Sequence, residues 1–260
     1  MTKLIVEVVA LGSIFWLEEL FPFFEGRTQR LRHTSYNIAL GILNVLCVSL
    51  FFSSMTVWIS SWTNLKVVGV LNLTAITPSM KWILAFILFD LWMYLWHVVN
   101  HQLHFLWRFH RMHHADLELD STTALRFHTG EIIFSSLLRL LVIPILGIEF
   151  SQLFIYELCL QPVIIFHHSN VALSEKWDRL LRILIVTPNM HRIHHSQERF
   201  ETNSNYSSIF SVWDRIGKTF QKREDLKTIC YGLPEIHGNQ WQNIFGMLKI
   251  PFVNFSRPPS

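Results

Sequence analysis

The 260-residue chain is half hydrophobic by composition, has a mean hydropathy of +0.30 and is only 16% charged, which favours a membrane protein. Its formal charge of +3 is mild and no basic run alternates with aromatic residues, so a nucleic-acid partner is not expected. The cysteines, Cys47, Cys159 and Cys230, are far apart and predict neither a disulfide framework nor a cysteine-based metal site.

The first apolar segment covers roughly residues 4–24 and has no basic leader or small-residue cleavage site before it. We therefore interpret it as a retained anchor and not as a signal peptide. Three acids, Glu7, Glu18 and Glu19, interrupt the segment. An amphipathic helix at the membrane surface is the alternative.

Three further apolar regions follow a short basic loop at residues 25–33. The run from Tyr36 to about Trp62 is uncharged and long enough to cross a hydrocarbon core of about 30 Å. A third segment, residues 82–99, contains one acid, Asp90, and ends in aromatic and then histidine-rich sequence. The fourth region, residues 132–166, is broken by a proline and a glycine, which predicts a hairpin that either crosses twice or only dips into the bilayer.

The distribution of charge predicts the topology. The arginines of the 25–33 loop place it in the cytoplasm by the positive-inside rule. Because successive membrane-spanning segments cross in opposite directions, two histidine-rich windows, residues 97–128 and 167–195, are then expected on that same face. The chain after Asn170 is polar and is expected to be cytosolic or interfacial. We predict an all-α integral membrane protein with four to five transmembrane or re-entrant helices and a cytoplasmic histidine-rich di-metal cap. The expected parts are N-terminal anchor helices (1–79), a catalytic domain (80–220) and a cytoplasmic tail (221–260).

Twelve of the 14 histidines fall in the two windows, and most of them form three clusters. Residues three and four apart lie on one face of a helix, so each cluster projects its imidazoles in a common direction. Two copies of His-x-x-His-His are not expected by chance in a chain of this composition. The clusters are His97 and His101; His110, His113 and His114; and His191, His194 and His195.

Imidazole binds iron, zinc, copper and nickel, and one zinc ion takes three or four protein ligands. Eight clustered histidines exceed what one ion needs, so the sequence predicts two neighbouring metal ions. The glutamate-rich motifs of soluble di-iron bundles are absent from the sequence. The isolated histidines His33, His104 and His237 are interpreted as interfacial residues.

The order of the three boxes on a multi-spanning chain resembles the fatty acid hydroxylase/sterol desaturase superfamily. The resemblance covers about residues 90–220; its most specific part is residues 187–196, followed by Asn205-Tyr206 and Trp213-Asp214-Arg215. It implies a membrane-bound non-haem oxygenase with two Fe ions, O2 as co-substrate and a lipid-like substrate. Hydroxylation, desaturation and ether-bond oxidation remain open.

The resemblance also implies ligands between the boxes, at His128 and at His168. His167 is the alternative to His168, because neighbouring helical residues point about 100° apart. Ala115-Asp116, Thr129 and Gly217-Lys218 depart from the usual pattern and leave the substrate open. The implied metal ligands are His97, His101, His110, His113, His114, His128, His168, His191, His194 and His195.

Electrons are expected from a separate redox protein, since the chain has no cysteine cluster and no glycine-rich dinucleotide fingerprint. An acidic donor would bind basic residues near the third box, namely Lys176, Arg179, Arg182, Arg192 and Arg199. Four acids are either partners that orient ligand imidazoles or solvated surface groups: Asp116, Glu118, Asp120 and Glu131. The rival interpretations are a membrane zinc hydrolase and a non-enzymatic metal- or haem-binding membrane protein.

Overall fold

A computed structural model describes residues 1–27, 29–73, 75–236 and 238–254, so His237 and the proline-rich end lie outside the described residues. The described part is helical, with only isolated β-bridges and no extended strand. Its α-helices are α1 (Thr2–Leu20), α2 (Arg30–Phe51), α3 (Ser53–Leu65), α4 (Val70–Leu73), α5 (Pro78–Gln102), α6 (His104–His114), α7 (Thr129–Leu146), α8 (Phe150–His168), α9 (Glu175–Leu181), α10 (Pro188–His194), α11 (Arg199–Thr202), α12 (Val212–Ile216) and α13 (Ile244–Lys249). Short 3-10 helices cover Ser121–Leu125, Leu226–Thr228, Asn239–Trp241 and Ile250–Phe252.

Four helices, α2, α5, α7 and α8, are long and apolar enough to cross a membrane. Helix α1 has 19 residues but is not among them, and it packs along α8. Its acidic residues explain this, because Glu7 pairs with Lys3 and Glu18 pairs with Arg30 inside the protein. The prediction of an all-α membrane protein is confirmed.

The uncharged run predicted as one segment from Tyr36 to Trp62 is in fact two helices. Phe52 separates α2 from α3, and its φ of −119° departs from the helical value of about −63°. The Ser53 hydroxyl donates to the Val48 carbonyl, a local bond that competes with the regular helical ladder. Helix α3 has 13 residues, is too short to span, and packs against α7.

The predicted hairpin is present as α7 and α8. Gly147 ends α7 in the left-handed conformation, with φ +82°, where a Cβ would lie 3.0 Å from the Val68 carbonyl oxygen. The chain then turns back as α8, whose last residues are His167 and His168. This return is what brings the second histidine window beside the first.

The segment after residue 220, predicted as a tail, packs on the rest of the molecule. Leu40 of α2, Met112 of α6 and Met247 of α13 belong to one buried cluster. Arg111 donates to the carbonyls of Ile250 and Val253 at 2.6 and 2.7 Å. The C-terminal segment therefore supports the back of α6, which carries the second histidine box.

Candidate metal centre

Three helices carry the histidine boxes towards one point. The last turns of α5 hold His97 and His101, α6 holds the second box, and α10 with the residue after it holds the third. Helix α10 starts at a fixed position because the Thr187 side chain accepts from the Met190 N–H as its N-cap and Pro188 occupies the first turn.

The imidazoles form two groups, and within each group one nitrogen per residue lies within 4.8 Å of the others. Seven of the nine members are buried, His97 is half-buried, and His101 is half-buried as a residue but has both ring nitrogens buried. The first group is His97, His101, His110, His114 and His194. The second group is His113, His168, His191 and His195.

The two groups are adjacent. The His195 ring centroid lies 4.6 Å from that of His114 and 4.6 Å from that of His113. The rings of His194 and His195, which belong to different groups, are 5.4 Å apart. Ions held in the two groups would be close neighbours, as a di-metal centre requires.

Main-chain carbonyls set the orientation of four of these rings through Nδ1, at 2.7–3.2 Å. A carbonyl oxygen only accepts, so Nδ1 carries the proton and Nε2 keeps its lone pair. The partners are the carbonyls of Tyr206 for His97, Arg126 for His113, Ile164 for His168 and Ser204 for His194. The free lone pairs point inwards: the Nε2 atoms of His168 and His113 are 3.1 Å apart, and those of His191 and His168 are 3.0 Å apart.

The donor set fits metal ions. The Nε2 atoms of His194 and His195 are buried and have no hydrogen-bond partner within the described protein. A buried polar atom without a partner costs about 1–3 kcal/mol, a cost that a bound cation removes. Burial, and then neighbouring imidazoles, lower the pKa of five grouped histidines well below the ordinary value: His113, His114, His191, His194 and His195. These side chains are therefore neutral at neutral pH, which is the form that binds metal.

Helix α8 brings His168 into the second group, whereas His167 lies beside it with its ring centroid 4.1 Å from that of His191. His128 is not brought to either group. Its Nδ1 accepts from the Gly130 N–H at 2.9 Å and its Nε2 donates to the Leu248 carbonyl at 3.2 Å. The Nδ1 atom of His128 thus caps α7, and its Nε2 atom links α7 to α13.

A family model described as "Fatty acid hydroxylase" matches residues 82–219, more than half of the chain and all nine grouped histidines. The chain belongs to the fatty acid hydroxylase family. Human alkylglycerol monooxygenase is 28% identical over 211 residues, which cover 78% of this chain and 44% of that protein. The zebrafish (Danio rerio) protein of the same name is 31% identical over 159 residues, or 58% of this chain and 32% of that one.

A bacterial relative, the ornithine lipid hydroxylase of Rhizobium tropici, is 28% identical over 138 residues, covering 53% of this chain and 41% of that protein. The chain spans less than half the length of each of these relatives. No solved structure matches.

Of the four acids predicted as possible partners for metal ligands in this fatty acid hydroxylase family member, one contacts a grouped histidine. Glu131 of α7 lies with Oε1 2.8 Å from Nδ1 of His110. Glu118 is partly exposed and pairs with Arg27. Asp116 and Asp120 are buried but bind His33.

Changing Glu131 to glutamine should weaken metal binding by about 10–100-fold, the usual cost of losing a carboxylate that orients a ligand imidazole. The amide keeps the size of the side chain but removes the charge that favours the Nδ1–H of His110. Metal titration in detergent would measure the change, with Glu118→Gln as the matched control. Equal affinities for the two variants would show that Glu131 does not orient the ligand.

His33, predicted as an interfacial residue, is an ion-pair partner in this fold. Its side chain is 10% exposed and lies between two carboxylates, with Nε2 2.8 Å from Asp116 and Nδ1 3.2 Å from Asp120. Burial would raise the pKa of Asp116, but the nearby cations His33 and Arg126 outweigh burial and lower it to about 2. His104 is exposed at the start of α6, away from both groups.

Two of the five basic residues predicted to receive a redox partner are structural. Arg192 is buried and donates to the carbonyls of Ser169 and Val171. Arg182 is only 9% exposed and pairs with Glu175 and Asp178 of α9. The exposed residues of the set are Lys176, Arg179 and Arg199.

Proposed function

We propose that this protein is a membrane-bound di-iron oxygenase that hydroxylates an unactivated C–H bond of a lipid. The observation that carries the proposal is the pair of adjacent groups of five and four imidazoles, in which the buried Nε2 atoms of His194 and His195 lack partners. Nine imidazole donors would supply two ions with four or more ligands each, more than a zinc hydrolase uses. Membership of the fatty acid hydroxylase family supports iron as the metal.

Iron bound here would supply O2 activation, and the overall reaction converts R–H, O2, two electrons and two protons into R–OH and water. The residues of the chain have other tasks. The main-chain carbonyls of the 204–206 segment fix the rings of His97 and His194, and Glu131 fixes His110. Burial of most of the ligands keeps bulk water away from the reacting centre.

A lipid substrate is supported by the position of the half-buried ligands. His97 and His101 lie at the end of α5, a candidate membrane span, while the other seven ligands are buried. A lipid that moves laterally from the bilayer would reach the centre there. Relatives named for alkylglycerol and for ornithine lipid make lipids with ether or amino-acid headgroups the first compounds to test.

We also propose that the centre faces the cytoplasm and that a separate redox protein delivers the electrons. The basic 25–33 loop and the centre share one end of the molecule, because Arg27 binds Asp120 at 2.5 Å and Arg30 binds Glu18 at 2.8 Å. The positive-inside rule counts the arginines themselves and not the net charge, so Arg27, Arg30 and the exposed Arg32 all favour a cytoplasmic loop. Reporter fusions that place the C-terminus outside the cell would contradict this orientation.

The test of function is oxidation of a lipid panel by purified protein in nanodiscs with a chemical or protein reductant. The panel contains alkylglycerols, ornithine lipids, phospholipids and sterols, and the gas is isotopically labelled O2. We expect mass spectrometry to find a product that carries one labelled oxygen atom. Cleavage of a lipid without O2, with oxygen derived from water, would instead establish a hydrolase.

A further inference from the structure

The polar part of the chain carries an exposed apolar surface that no candidate span accounts for. It is formed by α9, the residues that follow it, and α12, and we call it the α9–α12 surface. Ile183 and Ile216 are each 68% exposed. Its apolar members are Trp177, Leu180, Ile183, Leu184, Val212 and Ile216.

The two parts of the α9–α12 surface are joined by hydrogen bonds. The Ser211 N–H donates to the Leu184 carbonyl at 3.1 Å, and the Val186 N–H donates to the Ile209 carbonyl at 3.0 Å. The Arg215 guanidinium donates to the Arg182 carbonyl at 2.6 Å. The main-chain groups that join its two parts are thus bonded within the protein and do not depend on water.

Contacts with α5 place this surface at membrane depth. Asp90 accepts from the main-chain N–H groups of Ile209 and Phe210 at 3.2 and 3.0 Å and from Nε1 of Trp213 at 2.8 Å. Asp90 lies twelve residues before Gln102, the last residue of α5, which is about 18 Å along a helix. The chain around residue 210 therefore runs beside the middle of a span, not beyond its end.

This arrangement explains the single acid in α5. Irregular backbone at membrane depth needs every polar group satisfied from within the protein. The buried Asp90 carboxylate provides acceptors for two main-chain N–H groups that no helix ladder serves. Lipid offers these buried N–H groups no acceptor, so the protein must supply one.

The charged rim of the surface also fits a bilayer. Lys176 and Arg179 are exposed on α9 beside Trp177, with the Lys176 Nζ 6.0 Å from the Trp177 ring centroid. Tryptophan with flanking cations is typical of the boundary between headgroups and acyl chains, and cations there attract anionic lipids. An acidic protein partner would need the cations but not the wide apolar area between them.

We propose that the α9–α12 surface is embedded in the bilayer, with its apolar residues among the acyl chains and anionic headgroups against Lys176 and Arg179. This contact would add to the four spans and set the height of the metal-binding helix. Asp178 of α9 accepts from the Thr187 hydroxyl at 2.5 Å, and Thr187 is the N-cap of α10. The membrane contact of α9 is thereby coupled to the helix that holds the third histidine box.

The test uses the full chain with its three cysteines replaced by serine, carrying a bimane fluorophore on Ile183→Cys or Ile216→Cys. Glu224→Cys is the control, because Glu224 is exposed and shares a groove with the charged residues Arg223, Asp225 and Lys227. Each protein is placed in phosphatidylcholine–phosphatidylglycerol nanodiscs. Quenching by doxyl-labelled lipids is compared with quenching by iodide in water, and metal content confirms that each labelled protein is folded.

We expect doxyl lipids to remove most of the fluorescence at positions 183 and 216 while iodide has little effect, with the opposite order at position 224. Iodide quenching at 183 and 216 equal to that at 224 would show a water-exposed surface and overturn the proposal. Labels that neither agent reaches would show that another protein or a second copy of the chain covers the surface, which overturns it equally.

Discussion

Alanine at His194 or at His195 should reduce O2-dependent lipid oxidation by more than about 100-fold, beyond the 10–100-fold cost of changing a group that only orients a ligand. The two residues belong to different groups, and each contributes a buried Nε2 with no other partner. Either change should lower metal content and turnover together, because the same atom fixes both affinity and geometry. Elemental analysis and the mass-spectrometric assay measure the two effects on the same preparation.

The matched control is His104→Ala, which makes the same chemical change at an exposed position outside both groups. It should keep full metal content and full activity. If His194→Ala and His195→Ala also keep both, the two groups do not bind the catalytic metal. Unchanged membrane insertion of all three variants would exclude misfolding as the cause of any loss.

Alanine at His33 should destabilise the folded protein by about 3–5 kcal/mol, the usual cost of removing one partner from a buried ion pair. The change leaves Asp116 and Asp120 buried at 2% and 0% exposure without the imidazole that lies between them. A lower thermal unfolding midpoint in detergent would reveal the loss. His104→Ala again serves as the control for removing an imidazole.

This loss should have a consequence at the metal centre. Arg126 lies against Asp116, and its carbonyl oxygen accepts from Nδ1 of the ligand His113 at 3.2 Å. Metal affinity should therefore fall with stability in His33→Ala, although His33 lies outside both groups. An unfolding midpoint identical to that of the unmodified protein would refute the structural role of His33.

The stabilisation by this network also has a defined pH range. The pKa of Asp116 is about 2 in the folded protein, against an ordinary value of 3.8 for an aspartate side chain. A depressed carboxyl pKa stabilises the fold above the unfolded value and loses that contribution as pH falls through the folded one. The Asp116 contribution is therefore complete above pH 3.8 and lost towards pH 2.

The histidine boxes were predictable because helical spacing is local: three- and four-residue intervals determine which imidazoles share a face whatever the rest of the fold does. The hairpin was predictable for a similar reason, since Gly147 lies where the apolar region breaks. Sequence could not separate His128 from the ligands, because its two partners, Gly130 and Leu248, are set by the cap of α7 and by a distant segment.

Long-range pairing was the main source of error. His33 meets Asp116 across 83 residues, and nothing in the local sequence of either residue indicates the other. The burial of Arg192 depends on the carbonyls of the 169–171 turn, which only the folded hairpin places beside α10. The chain after Asn170 was expected to be polar, yet part of it packs beside α5, where the Ile209 N–H donates to Asp90.

Metal content per folded chain tests the central claim most directly. Protein purified in detergent without metal-chelating resin, and shown to be active and monodisperse, is analysed for iron and zinc against an independent measure of protein concentration. We predict two metal ions per chain, with iron supporting activity, because the two adjacent groups provide five and four donors. One ion or fewer per active chain would contradict the di-metal centre.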